Sequence, residues 1–179
     1  MRIVVAVESE EAKKRSEFQG KIAQLRDFNE AFELVKSAVL AKFNMHRAGL
    51  SLILQVMPSN LGAYHILGSN VIVVNRAVLA FIKEVSKSQE HYNSYLFMVL
   101  AHEYIHSFGI VDENTVRHMT YDLCRDLLGD NHPSTKMAKD DPSSLYPELK
   151  TLFSSAPGRF GSEFEVVKNF DRTNMSYIQ

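Results

Sequence analysis

The sequence predicts an α+β domain. Three observations carry that expectation. Apolar residues recur at helical spacing from Lys21 to about Phe43, two β-rich runs flank Gly68-Ser69, and a buried-type helical segment meets an amphipathic one between Gly109 and Asp112. The expected architecture is a small mixed or antiparallel sheet, a long N-terminal helix and a pair of consecutive helices.

Residues 1–8 read as a short strand, and the Glu-, Lys- and Ser-rich dozen after them as solvated chain. Ile22, Leu25, Phe28, Phe32, Val35, Val39 and Phe43 then mark one helix, closed by Gly49. Leu50–Met57 is an apolar run ended by Pro58 and Asn60, the pattern of a buried strand. Gly62–Leu67 and Asn70–Asn75 read as a hairpin, because glycine admits the positive φ of a primed turn. Ala77 to about Val85 returns to helical spacing, and 86–91 is a polar loop. Tyr95–Phe108 is apolar on nearly every side, as a buried helix is, with Gly109 suited to end it. Asp112 can cap a further helix to about Leu128, with Val116, Leu123 and Leu127 inward and Gly129 as its stop.

Beyond 129 the composition shifts. Pro133, Pro142, Pro147 and Pro157, with Gly158 and Gly161, mark extended, loop-rich chain with one short helix near 145–153. Phe164–Val167 suits a late strand. The chain thus divides into residues 1–129, which hold the motifs, and an extension, 130–179, expected to pack on them. The extension carries Leu145, Tyr146, Leu149, Leu152, Phe153, Phe160, Phe164 and Phe170, too many apolar side chains to hang in water. They either complete the core, the favoured reading, or cover a cleft.

Composition narrows the function. The 179 residues balance 20 Lys+Arg against 21 Asp+Glu, so no basic footprint for nucleic acid or anionic membrane exists. The single cysteine, Cys124, precludes an internal disulfide and fits a reducing compartment. No apolar run approaches the roughly 18–20 residues that span a bilayer. The apolar stretch Met1–Val7 is too short for a signal-peptide core, so the expected location is cytoplasmic.

The chemistry concentrates in His102-Glu103-Tyr104-Ile105-His106, an H-E-x-x-H pattern inside the buried helix. Residues four apart share a helix face, so two imidazoles converge on one Zn²⁺ at about 2.0–2.1 Å. Glu103 sits about 100° round the helix, where it reaches a water rather than the ion. Chance supplies roughly 0.02 such matches in a chain of this composition. A catalytic zinc site takes a third protein ligand and leaves a position open. Asp112, Glu113, His118, Asp122 and His132 follow downstream. On the second helix His118 and Asp122 fall about 200° and 240° from the apolar face, hence toward solvent, whereas Glu113 falls about 60° from it. His132 lies beyond the far end, about 20 Å away at 1.5 Å rise per residue unless the following loop returns. Asp112 and Glu113 remain. Asp112 suits a cap and Glu113 has the longer reach, so Glu113 is preferred and Asp112 stays open.

The motif in a helix preceded by a β-hairpin resembles the zincin metallopeptidases, over roughly residues 50–128. Glu113-Asn114-Thr115-Val116-Arg117 resembles the short glutamate helix of the gluzincins, and the compact minigluzincins are similar in size and element order. His102–Asp112, read as H-E-Y-I-H-S-F-G-I-V-D, also matches the metzincin register with Asp in the third-ligand place. Ser134-Thr135-Lys136-Met137 is a poor match to that group's methionine turn. The resemblance implies a zinc-dependent peptidase acting on a peptide or protein substrate, with His102, His106 and Glu113 or Asp112 on the metal and Glu103 as general base. It implies further that Ala63–Leu67 is an edge strand that pairs with substrate backbone. Arg117, Tyr121, Tyr64 and His65 are the candidate oxyanion donors. The alternative is a non-catalytic zinc-holding regulatory or interaction module, for which an intact Glu103 has no use.

Overall fold

The computed structural model describes residues 2–154 and 158–172, with side chains from residue 10 onward. Among these residues it is a mixed α+β arrangement of seven α-helices and one four-stranded mixed sheet. Among the described residues no helix is long and apolar enough to cross a membrane.

The N-terminal expectation is corrected. Residues Arg2–Ala23 form helix α1, so residues 2–8 are not a strand; the Glu-, Lys- and Ser-rich stretch is helical, with residues 10–17 exposed to solvent as expected. The Glu-, Lys- and Ala-rich stretch has strong helix propensity. Phe18 and Ile22, one turn apart, bury against the later helices, while Gln19 Nε2 donates to the Leu128 carbonyl at 2.7 Å. The periodic run 21–43 is likewise two helices. Asp27 turns extended at φ −147° and its carboxylate accepts the Glu30 N–H at 2.8 Å, starting α2 (Phe28–Phe43) afresh. The apolar period continues across this break because Ile22 and Leu25 enter the same core as Phe32 and Val35.

The sheet order is β2-β3-β1-β4. Strand β1 (Ser51–Gln55) pairs parallel with β3 (Val71–Asn75), in register Leu52↔Ile72 and Leu54↔Val74. The expected hairpin forms: β2 (Ala63–His65) lies antiparallel on β3 and is an edge. The late strand β4 (Phe164–Val166) closes the other side, antiparallel to β1. Asn75, wholly buried, settles the hairpin's base. Its amide nitrogen donates to the Met57, Pro58 and Leu61 carbonyls, and its oxygen accepts the Ala77 N–H that begins α3 (Arg76–Val85).

Helix α4 (Gln89–His106) runs through the middle of the molecule, and twelve of its residues are buried. It begins inside the stretch 86–91 expected to be loop, because Ser88 accepts the His91 N–H and caps it. Tyr104 meets Phe32 edge-on at 5.3 Å, and Phe170 stacks on Phe32 at 4.1 Å. Gly109 takes φ 89° just beyond the helix end, and Asp112 caps α5 (Glu113–Leu128) as its position suggested.

The extension is more regular than its prolines implied. Helix α6 (Pro133–Asp140) occupies chain expected to be loop: Pro133 sits in the first turn, where its missing N–H costs nothing, and His132 supplies the cap. A 3-10 turn (Pro142–Ser144) and α7 (Glu148–Ser154) follow. Met137, Tyr146, Leu149 and Phe170 are buried in the common core, whereas Phe160 and Phe164 are exposed. Pro157 lies outside the described residues.

Candidate metal centre

Helix α4 delivers His102 and His106 to one wall of a cleft of about 830 Å³. Helix α5 packs beside α4, so its first residue, Glu113, reaches back across the gap. The Nε2 atoms of the two histidines stand 3.2 Å apart. Glu113 Oε1 is 3.1 Å from His102 Nε2, and Oε2 is 3.1 Å from His106 Nε2. Tetrahedral ligands at about 2.0–2.1 Å from zinc sit roughly 3.3 Å from one another. The three side chains therefore fit one small dication, and they are the group of His, Cys, Asp and Glu side chains positioned to hold one among the described residues.

The groups around the triad leave both imidazoles free to bind a cation. His106 Nδ1 lies 2.7 Å from the Ile110 carbonyl oxygen. A carbonyl only accepts, so Nδ1 carries the proton and Nε2 keeps its lone pair for the cluster. Burial holds His102 well below its ordinary value, at about 4, hence neutral and ligand-competent at physiological pH. Arg117 Nε lies 3.5 Å from Glu113 Oε1.

Glu103 is the unusual group. It is 4% exposed, its Oε2 has no hydrogen-bond partner, and it borders the cleft beside the histidines. Burial first, then the Glu113 charge, push its pKa up to about 8, against the pull of the His65 backbone N–H. That N–H belongs to β2, so the edge strand runs past the carboxyl. The cleft continues along α4 over Val99, Met98 and Tyr95, and the extension contributes Met137, Leu149 and Phe153 to its wall.

The other sequence candidates stand apart from the cluster. Asp112 is occupied as the α5 cap: its Oδ2 accepts from the Thr115 N–H at 2.7 Å and from its hydroxyl, which holds the carboxyl below its ordinary range. His118 donates from Nδ1 to the Asn114 carbonyl on the exposed face, and Asp122 pairs with Arg125 at 3.1 Å. His132 is buried at the start of α6, where Nδ1 accepts the Ser134 N–H at 3.2 Å. Arg117, Tyr121, Tyr64 and His65 all line the cleft. Sequence reasoning passed over Arg47 and Asn75, which set the frame around the site. Asn75 had a local signal, a capping residue between an apolar run and a helix. Arg47 had none. No protein-family model, curated protein or solved structure significantly matches this chain.

Proposed function

We propose that the chain is a zinc-dependent peptide hydrolase of the zincin kind, with the glutamate-ligand arrangement of the gluzincins. The observation that carries this reading is the triad of His102, His106 and Glu113, mutually 3.1–3.2 Å apart, with the buried Glu103 carboxyl beside it on the same cleft wall. Two imidazoles and one carboxylate leave a tetrahedral ion one open position, the donor set of catalytic rather than closed structural zinc. When bound, zinc supplies Lewis acidity and acidifies water toward a pKa of about 7.

The chain's own residues do the rest. Burial keeps the Glu103 carboxyl protonated near neutrality, and positive charge held by the triad draws its pKa down toward the proton-accepting form. Glu103 then takes the proton from the attacking water and hands it to the leaving amine. Strand β2 offers its unpaired edge to an extended peptide, whose backbone would continue the β2–β3 ladder. Arg117 and Tyr121 face the cleft as donors for developing negative charge.

The test is Glu103→Gln, which keeps shape but cannot take a proton. The zinc-loaded variant should hold its metal and fold while cleaving a peptide library at least about 10²-fold more slowly. Undiminished turnover refutes the role. A non-catalytic zinc module requires a fourth protein ligand, and a zinc-loaded crystal structure decides by coordination count.

A further inference from the structure

The edge strand that borders the cleft is three residues long and, among the described residues, is paired on one side, to β3. Its base is pinned by the buried side chain of Asn75. Its tip carries the exposed Ile66 and Leu67 and the Gly68 turn, and has little burial to hold it. Within the tip, the Ile66 N–H donates to the Val71 carbonyl at 3.2 Å, the Ser69 N–H to the Ile66 carbonyl at 3.0 Å, and the Val71 N–H to Ser69 Oγ at 3.0 Å.

One side chain ties that tip to the metal-ligand helix. Arg47, in the segment between α2 and β1, donates from one guanidinium nitrogen to the Ser69 carbonyl at 3.0 Å and to Asn70 Oδ1. Its other terminal nitrogen donates to the carbonyl of Ser107, the residue after His106. Its backbone is fixed in turn by α4: the Tyr104 hydroxyl accepts the Arg47 N–H at 2.8 Å and donates to the Arg47 carbonyl at 2.9 Å. A guanidinium has the planar fork to serve two acceptor groups in different elements at once. Its charge also suits the negative end of α4.

We infer that Arg47 is a positioning residue: it clasps the β2–β3 turn to the C-terminal end of α4 and so fixes the substrate-facing strand edge relative to the metal ligands. The metal ligands themselves stand on α4 and α5 and are untouched by the clasp. Loss of Arg47 should therefore loosen the strand edge without loosening the metal. An extended peptide would then have to order the edge as it binds, which raises KM rather than lowering kcat. This last step rests on the peptide-hydrolase reading; the clasp does not.

The experiment compares wild type with Arg47→Ala, Arg47→Lys and Asn70→Ala, using full-length zinc-loaded protein. Hydrogen exchange at the Ile66, Ser69 and Val71 amides should quicken on the order of tenfold in Arg47→Ala, with α4 amides and zinc affinity unchanged. Asn70→Ala should show a smaller change of the same kind, and Arg47→Lys should recover part of the loss. On a cleavable peptide, KM should rise roughly three- to tenfold with kcat within about twofold. Should Arg47→Ala fail to fold, Asn70→Ala and Arg47→Lys decide the matter. Unchanged exchange at the tip, or zinc affinity falling in parallel with it, overturns the clasp. Loosened exchange with KM unmoved overturns its role toward substrate. If wild type cleaves nothing while the tip still loosens, the clasp stands and the peptidase reading falls.

Discussion

His132 should make the protein acid-sensitive through the start of α6. The ring is 6% exposed, and its Nδ1 accepts the Ser134 N–H, which only the neutral imidazole can do. Burial lowers its pKa from 6.5 to about 4, with nearby His91 adding to the effect. Above pH 6.5 both folded and unfolded chains carry a neutral ring, and the group contributes no pH dependence. Below it the unfolded chain binds a proton that the folded chain refuses, so stability falls with pH until about pH 4, where the folded ring titrates too. The slope approaches 1.4 kcal/mol per pH unit, and by pH 4.5 the loss amounts to about 2–2.5 kcal/mol. His102 shifts in the same direction, so the measurement must be a difference. Asn at position 132 keeps a capping oxygen but no titratable ring. Urea unfolding of wild type and His132→Asn should run parallel from pH 8 to 7 and diverge by about 2 kcal/mol between pH 7 and 4.5, with wild type losing more. A difference that stays constant within about 0.5 kcal/mol over that range refutes the argument that the ring is held neutral.

His106→Ala should remove most of the zinc seen by elemental analysis of the purified protein, because it deletes one of the three side chains proposed to hold it; equal metal in both proteins would place the site elsewhere. Asp171→Ala should cost about 3–5 kcal/mol in denaturant, since it strips the 2.7 Å partner of the buried Lys36 and orphans the Gly49 and Leu50 N–H groups. A loss below about 1 kcal/mol would show that the lysine's remaining partners, Glu33 among them, satisfy it. Leu149→Ala, at a fully buried core position in α7, should cost about 2–5 kcal/mol in denaturant, and a loss near zero would show that the extension adds nothing to the core.

The strongest features of the site were legible because their causes are local. His102 and His106 share a face whatever surrounds the helix, and Asp112 caps α5 by a bond three residues long. The β2–β3 hairpin followed from the Gly68-Ser69 turn between two β-rich runs. Less was legible where local signals were silent or crossed a boundary. The period from 21 to 43 concealed the break at Asp27, since both helices feed one core. The prolines after 130 suggested loops, yet Pro133 stands in a first helical turn.

What the sequence by itself determined is the spacing of the two histidines, the glutamate between them and the hairpin ahead of them, all within the reach of one or two turns of chain. The choice between neighbouring carboxylates was not determined there. Asp112 and Glu113 differ by one residue, and each suits the start of a helix. Only the docking of α5 on α4 puts Glu113 3.1 Å from both imidazoles and leaves Asp112 on its own cap. The same holds for the Glu103 carboxyl, whose pKa is raised first by burial and then by Glu113 on α5, against the His65 N–H on β2. It holds again for Arg47, whose partners lie 22 to 60 residues away. Reach along the chain is short, and desolvation and convergence of distant groups exist only once the chain has packed.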